Sequence, residues 1–360
     1  MSLESYLADF DDRDWQTTTE GTVRFALVGL GWWTIDEAIP AIESSDHCEV
    51  TVLVSSTTEK AQRVAADVPT ASHGISYDDF HDGAATDAYD AVYIATPNAF
   101  HLEYARSAAE YGKAVLCEKP MEATTERAAD LVAACADHGV DLAIGYRMQT
   151  EPAVRRAREL IRDGVIGEPR YVHGANYQRL LEMNPNEDQW RLDSALTGYG
   201  TSVMDLGIYP LNTARFLLDA DPVSAQATMR STHPAFDDVP DEHASFTLTF
   251  DNDVMAACTT SQNAHKGSHL EITGTEGSLR LDPAFHLETG LSVTVGEETV
   301  AFDTPQVNQM TEIFDYAGHS FAHGTPVSLD GEHGLMDMRA IEAVHEAADS
   351  GSRVDIDTEI

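Results

Sequence analysis

A six-residue, mostly apolar run, Val23–Val28, passes directly into Gly29-Leu30-Gly31-Trp32-Trp33-Thr34, and a helix-patterned stretch over 35–45 follows. A strand that turns at a glycine and enters a helix is the opening of a βαβ unit. The first glycine supplies the backbone angle of the tight turn, the second lets a phosphate approach the main chain, and the helix turns its free amides and positive dipole end to the same point. The third position of the G-x-G-x-x-G pattern is here Thr34, so the motif alone also fits a tight turn that binds nothing.

The same alternation continues. Strand-like runs at 49–54, 90–95, 114–117 and 142–145 are separated by helical stretches at 58–67, 100–111 and 124–138, the last with Thr124 as its cap and Gly139 as its stop. The reading is an α/β fold: an N-terminal Rossmann dinucleotide-binding domain over 21–145, behind an acidic arm over 1–20. After 145 the texture changes to a helix at 152–163, a strand at 170–178 and a helix at 202–218, then closely spaced strands at 223–230, 243–251, 254–261, 269–273 and 277–281. Hairpin breaks fall at Asp251-Asn252-Asp253 and Gly274-Thr275-Glu276-Gly277, and helices at 309–322 and 334–350 close the chain. This predicts a C-terminal α+β domain over 146–360 with an open antiparallel sheet for substrate binding and assembly, its last helix free to pack back on the first domain. A chain of 360 residues is in any case too long for one ordinary core.

In a dinucleotide-binding unit the end of the second strand meets the adenosine ribose. An acid there selects NAD. This chain has Ser55-Ser56-Thr57-Thr58-Glu59-Lys60, which leaves room for a 2′-phosphate, offers the hydroxyls of Ser55, Ser56 and Thr57 and the ammonium of Lys60, and so favours NADP over NAD. The same hydroxyl residues also suit the cap of the next helix.

Charge sharpens the argument. With 61 acidic against 22 basic residues the net charge is −39, so a nucleic-acid partner is excluded. The acids are scattered, as on the surface of a protein adapted to high salt, and there are only four lysines, at 60, 113, 119 and 266. One of them, Lys119, sits in Leu116-Cys117-Glu118-Lys119-Pro120 at the end of a strand, level with Thr96-Pro97-Asn98-Ala99-Phe100-His101 at the end of another. Ligands of open α/β sheets bind at that edge, so Lys119 is expected at the reacting centre, and Thr96, Asn98, His101 and Glu118 beside Gly29, Leu30, Gly31, Trp32 and Trp33 in the cofactor site. The four cysteines have no metal or redox spacing and read as reduced core residues. No membrane-length apolar run or secretory leader is present, so a cytoplasmic location is expected. No metal is expected among the fifteen histidines, of which His101, His173 and His265 are candidates for a cleft.

On the T-P-N-x-x-H and E-K-P segments and the two-domain order, the chain resembles the Gfo/Idh/MocA oxidoreductase family over nearly its whole length. Gly145-Tyr146-Arg147, Ile166-Gly167-Glu168, Trp190-Arg191-Leu192 and Asn308-Gln309 add to the match. The family's D-x-G-x-H or D-x-G-x-Y segment is here Asp205-Leu206-Gly207-Ile208-Tyr209, and the tyrosine resembles the glucose-fructose oxidoreductase branch. The resemblance implies hydride transfer between a sugar carbon and NADP, with Tyr209 as acid/base, Lys119 assisting and Asp205 positioning. Arg191 is expected at the cofactor, and Tyr177 and Tyr199 with Lys119, Asp205 and Tyr209 at the sugar.

The spacing is sensible on its own terms. Asp205 and Tyr209, at i and i+4, share one helix face, and an ammonium near a tyrosine favours the phenolate that can take a hydroxyl proton. The lead-in Thr197-Gly198-Tyr199-Gly200-Thr201 departs from the family's glycine-rich form, and the Tyr199 ring crowds the site toward a pentose. The expectation is D-xylose oxidised at C1 to the lactone, with a glucose-preferring aldose dehydrogenase, a trans-1,2-dihydrodiol dehydrogenase and a ketosugar reductase as alternatives. A regulator that has lost catalysis would lack Lys119 or Tyr209. The short N-terminal arm suggests a cofactor that exchanges. A homodimer or homotetramer is expected through the sheet face bearing Phe246, Leu248 and Phe250.

Overall fold

The glycine turn at 29–31 lies at the centre of a six-stranded parallel sheet. A computed structural model describes residues 10, 12–302 and 306–359, so within the expected acidic arm residues 1–9 and 11 lie outside the described residues. The sheet's strands are β1 (Val23–Val28), β2 (Cys48–Ser55), β3 (His73–Ser76), β4 (Ala91–Ile94), β5 (Ala114–Cys117) and β6 (Leu142–Ile144). Their spatial order, β3-β2-β1-β4-β5-β6, reverses direction at β1 and β4, the switch point at which doubly wound sheets bind ligands. Phe25, Ala26, Leu27 and Val28 are fully buried, because the sheet is covered on both faces and its central strand meets no water.

The helices α1 (Ile39–Glu43), α2 (Thr58–Ala65), α3 (His101–Glu110) and α4 (Thr125–His138) connect the strands. Thr124 accepts from the Arg127 amide at the start of α4 and Gly139 closes it at φ 63°. The compact unit built on this sheet comprises Trp15–Arg147 together with Asn308–Leu335. The returning segment brings helix α7 (Gln309–His323) onto the sheet, where the Phe314 ring lies 5.6 Å from Phe25 and 4.9 Å from Tyr93.

The other compact unit contains Met148–Val307 and Met336–Ile360. It holds α5 (Pro152–Arg162), β7 (Pro169–Arg179), α6 (Ile208–Leu218), β8 (Pro222–Arg230), β9 (His243–Phe250), β10 (Met255–Ser261), β11 (Asn263–Gly274), β12 (Gly277–Leu281), β13 (Leu291–Val295), β14 (Glu298–Phe302), most of α8 (Gly331–Ser350) and β15 (Val354–Asp355). Its nine strands run in the order β14-β13-β12-β11-β7-β10-β9-β8-β15. All neighbouring pairs are antiparallel except β7 with β10, so the sheet is mixed and mostly antiparallel.

Helix α6 packs on β7 and on α5 and covers one sheet face. That face includes Phe246, Leu248 and Phe250, each no more than 2% exposed, so the expectation that they form an open pairing surface is wrong. The alternation along β9 is correct, but its apolar side is the core of the subunit. The uncovered face carries instead Tyr171 and Met255, each 48% exposed and paired across β7 and β10. All four cysteines are buried and free. No helix of the described residues is long and apolar enough to cross a membrane.

Candidate active site

In the parallel-sheet unit, the chain leaves β1 through Gly29 at φ 96°, and a Cβ there would lie 2.8 Å from the Ala95 backbone. Both facts require glycine. Around Gly31 a Cβ would meet nothing within 4 Å, so the main chain at the second glycine faces open space. Thr34 explains the departure at the third position: its hydroxyl is buried and donates to the Gly29 carbonyl at 2.6 Å, tying the turn to the π-helical residues Thr34–Ala38 that precede α1. Leu30 is buried, leaving only its backbone to face a ligand, while Trp32 is 51% exposed.

At the end of β2, Ser55 is fully buried, and Thr57 accepts from the Lys60 amide at 3.2 Å as the cap of α2. Its hydroxyl is thus engaged, as the capping alternative required. Ser56 is exposed and the Lys60 side chain is half-buried, so these two remain to meet a 2′-phosphate.

At the end of β4, Thr96 has a buried hydroxyl with no hydrogen-bond partner, and Asn98 is buried in the next turn. His101 is also buried, its ring between the carbonyls of Thr96 (Nε2, 2.9 Å) and Met121 (Nδ1, 3.2 Å). It holds two loops together and does not offer its nitrogens to a ligand. Glu118 accepts from the Tyr93 hydroxyl at 2.6 Å and the Trp33 indole at 3.3 Å through Oε1, and from the Lys119 amide at 3.2 Å through Oε2. Burial, then the nearby Glu118 charge, push the Tyr93 phenol well above its ordinary range, so it stays a donor. The Glu118 carboxylate thereby fixes the backbone that presents Lys119. The open space over Gly31 and the unpartnered hydroxyl of Thr96, whose methyl lies 3.0 Å from a Cβ placed at Gly29, fit a dinucleotide at the switch point; Gly29–Trp33, Ser56, Lys60, Thr96 and Asn98 are the residues that could hold one.

In the other unit, the segment carrying Asp205 and Tyr209 enters as a π-helical turn, Val203–Gly207, and continues as α6. From Thr201 to Leu217 every residue is buried apart from Asp205 and Tyr209, which are half-buried. The i, i+4 spacing therefore gives one polar face on an otherwise enclosed helix. Asp205 Oδ2 accepts from Arg191 Nε at 3.1 Å and from Gln262 Nε2 at 3.0 Å, and Gln178 Nε2 donates to Gln262 Oε1 at 2.8 Å. The Arg191 guanidinium also lies 4.4 Å over the Trp190 ring. Arg191, expected at the cofactor, thus pairs with Asp205 within this unit. The Tyr209 ring packs 5.7 Å from Phe285.

The tyrosine on β7 was misassigned. Tyr177 hydrogen-bonds Thr259 on the face shared with Tyr171 and Met255, whereas Asn176, which donates to the Leu206 carbonyl at 3.2 Å, and Gln178 point to the α6 side. Strand side chains alternate, so Tyr177 lies on the opposite sheet face from Asp205, while Gln178 and Gln262 lie beside that acid; nothing in the sequence marked those glutamines. His173 and His265 are exposed on β7 and β11. The Tyr199 ring stacks on His345, 5.9 Å away at 29°.

Residues 23–146 match the model of the oxidoreductase family with an NAD-binding Rossmann fold, and residues 154–280 match the GFO/IDH/MocA C-terminal domain. The chain is 54% identical to D-xylose 1-dehydrogenase [NADP(+)] of Haloarcula marismortui over 99% of its length and 100% of the relative's. It is 30% identical to D-xylose 1-dehydrogenase (NADP(+)) 2 of Haloferax volcanii over 92% of this chain and 99% of that one. Among solved structures, the aldose-aldose oxidoreductase of Caulobacter crescentus superposes with a TM-score of 0.87 at 30% identity, covering 93% of this chain and 100% of that chain.

Proposed function

The chain belongs to the GFO/IDH/MocA oxidoreductase family, and from that premise we propose that it oxidises D-xylose at C1 to D-xylonolactone with NADP as oxidant. The observation that carries the site is the pair Asp205 and Tyr209, the two residues left open on a helical segment that is otherwise buried from 201 to 217. The substrate and cofactor are those named for the full-length relative at 54% identity.

When bound, NADP supplies the nicotinamide ring that accepts hydride. The protein's part is the proton and the alignment. Tyr209 takes the proton of the C1 hydroxyl as the C1–H bond breaks, and Lys119 assists by donating to that hydroxyl oxygen. Asp205, held by Arg191 and Gln262, stays an acceptor and orients a neighbouring sugar hydroxyl. Tyr199 limits the room beyond the ring carbons. On the cofactor side, Ser56 and Lys60 would hold the 2′-phosphate. Steady-state kinetics on xylose, glucose, arabinose and a trans-dihydrodiol, each with NADP and NAD and with the lactone identified as product, test the reading. The highest kcat/KM is expected for xylose with NADP; a higher value for the diol or a hexose would reject the pentose assignment.

The acidic surface suits a salt-rich cytoplasm and pentose catabolism there. The enzyme assembles as a dimer or tetramer through the uncovered sheet face bearing Tyr171 and Met255.

A further inference from the structure

The substrate-facing segment 199–209 rests on two buried groups that lie far from it in sequence. Asp241, fully buried, accepts from the Thr201 amide at 2.6 Å through Oδ1 and from the Val203 amide at 2.7 Å through Oδ2, so one carboxylate fixes the two amides that open the turn leading to Asp205 and Tyr209. His345, on α8, is also buried and stacks its ring on Tyr199. Its Nε2 has no hydrogen-bond partner and lies 4.0 Å from Asp241 Oδ2. Burial holds the imidazole below its ordinary range against the opposing pull of Asp241 and Asp349, so near neutral pH it is an uncharged ring. Gly200, between Tyr199 and Thr201, makes this possible: a Cβ there would intrude on both the Asp241 carboxylate and His345 Cε1.

We propose that His345 is a specificity-positioning residue: it fixes the Tyr199 ring against which the sugar is sized, while Asp241 fixes the backbone on which Tyr199, Asp205 and Tyr209 are carried. The proposal rests on the reading of Tyr199 as a sugar contact. Offset aromatic pairs at 4.5–7 Å separation are attractive and hold a ring in place. Without His345 as its platform, the Tyr199 ring swings aside and a hydroxymethyl group finds room. The buried, uncharged imidazole serves as a surface and takes no proton in the reaction.

The test compares kcat/KM for xylose and glucose in the parent enzyme and in His345→Leu, His345→Phe and Tyr199→Ala. Since a loosened wall still discriminates weakly against one added group, His345→Leu is expected to lower the xylose-to-glucose ratio about tenfold, with KM for NADP unchanged. His345→Phe, which restores a ring, keeps a ratio near the parent's. His345→Gln replaces the Leu variant if that one does not remain folded. Asp241→Asn, which leaves one of the two amides without its acceptor, lowers kcat with xylose while tryptophan fluorescence reports unaltered NADP binding. A parental ratio in the folded ring-less His345 variants alongside a changed ratio in Tyr199→Ala overturns the proposal and leaves the sugar-site reading standing. A parental ratio in Tyr199→Ala overturns both.

Discussion

At the scale of single residues, the proposed chemistry divides cleanly between groups that move a proton and groups that hold the cofactor. Tyr209→Phe and Lys119→Ala remove the former, so each is expected to lower kcat by a factor on the order of 100 to 10,000, the usual contribution of a positioned acid/base, with the NADP dissociation constant little changed in a fluorescence titration. Near-parental turnover in either variant would reject the assigned roles. Ser56 is exposed at the end of β2 where Ser55 is not, so Ser56→Asp is the substitution that places a carboxylate against a 2′-phosphate. The ratio of kcat/KM with NADP to that with NAD should fall or invert; an unchanged ratio would move phosphate recognition elsewhere. What the sequence showed at this scale were residues whose type is itself unusual: a lysine in a chain with four, a tyrosine four residues after an aspartate, two glycines after a strand. It did not show which side of a strand a residue takes. Tyr177 and Gln178 are equally consistent with β7, and only the packing of α6 against the even-numbered side separates them. Nor did it show that Arg191 serves Asp205, since the two are 14 residues apart and meet through the fold.

At the scale of elements, the legible part of the fold was the part with strong periodicity. The buried parallel strands β1, β2, β4, β5 and β6 are short apolar runs with turn residues at both ends, and such runs announce themselves. β3 did not: its burial pattern runs exposed, half-buried, buried, half-buried, so it carries no apolar run. The hairpin of β13 and β14 has strands of only five residues each, too short for their alternation to stand out. The π-helical entries to α1 and α6 have no sequence signature and arise where the turn and its anchors fix the chain. One anchor of α6 invites a stability test. Arg215 and Asp337 form a buried pair at 2.7 Å, with Asn212 donating to the other Asp337 oxygen at 2.7 Å. Breaking such a pair from one side leaves a buried charge short of its partner, so Asp337→Leu should cost about 3–5 kcal/mol in chemical denaturation; a loss below 1 kcal/mol would show that Asp221, 2.6 Å from Arg215, suffices. A buried carboxylate just before β9 is sensitive to acid. Burial pushes the Glu242 carboxyl up, but hydrogen bonds from Asn263, His233 and Thr232 outweigh it and hold it at about 2, against an ordinary 4.5. A depressed carboxyl stabilises the fold above its unfolded value and loses that contribution as pH falls toward the folded one. Glu242→Gln should therefore melt lower than the parent at neutral pH, with the gap closing between about pH 4.5 and 2; a pH-independent gap would refute the assignment.

At the scale of the whole molecule, charge and assembly are one problem. A net charge of −39 on a 360-residue chain repels itself within the subunit and again between subunits, and both terms weaken as salt shortens the screening length from about 10 Å at 0.1 M to about 3 Å at 1 M. The composition announced this burden but not the surface that meets it, because period-two alternation in β9 shows that one side is apolar without saying which side the helices cover. With Phe246, Leu248 and Phe250 enclosed, the uncovered side presents Tyr171, Met255, Ala257 and small hydroxyl residues on its central strands, with the Glu271–Arg280 pair beyond them on β11 and β12. A surface of that kind is where like-charged copies can approach at least electrostatic cost. In multimolar salt, light scattering should give a mass of two or four subunits, and Met255→Asp combined with Tyr171→Asp should give one, since the substitutions set carboxylates against each other across a two-fold contact. Lowering the salt should dissociate the parent enzyme and lower its melting temperature together, because the same unscreened repulsion acts on both equilibria. A parent that is monomeric in high salt, or a double variant that keeps the parental mass, would remove this face from the assembly.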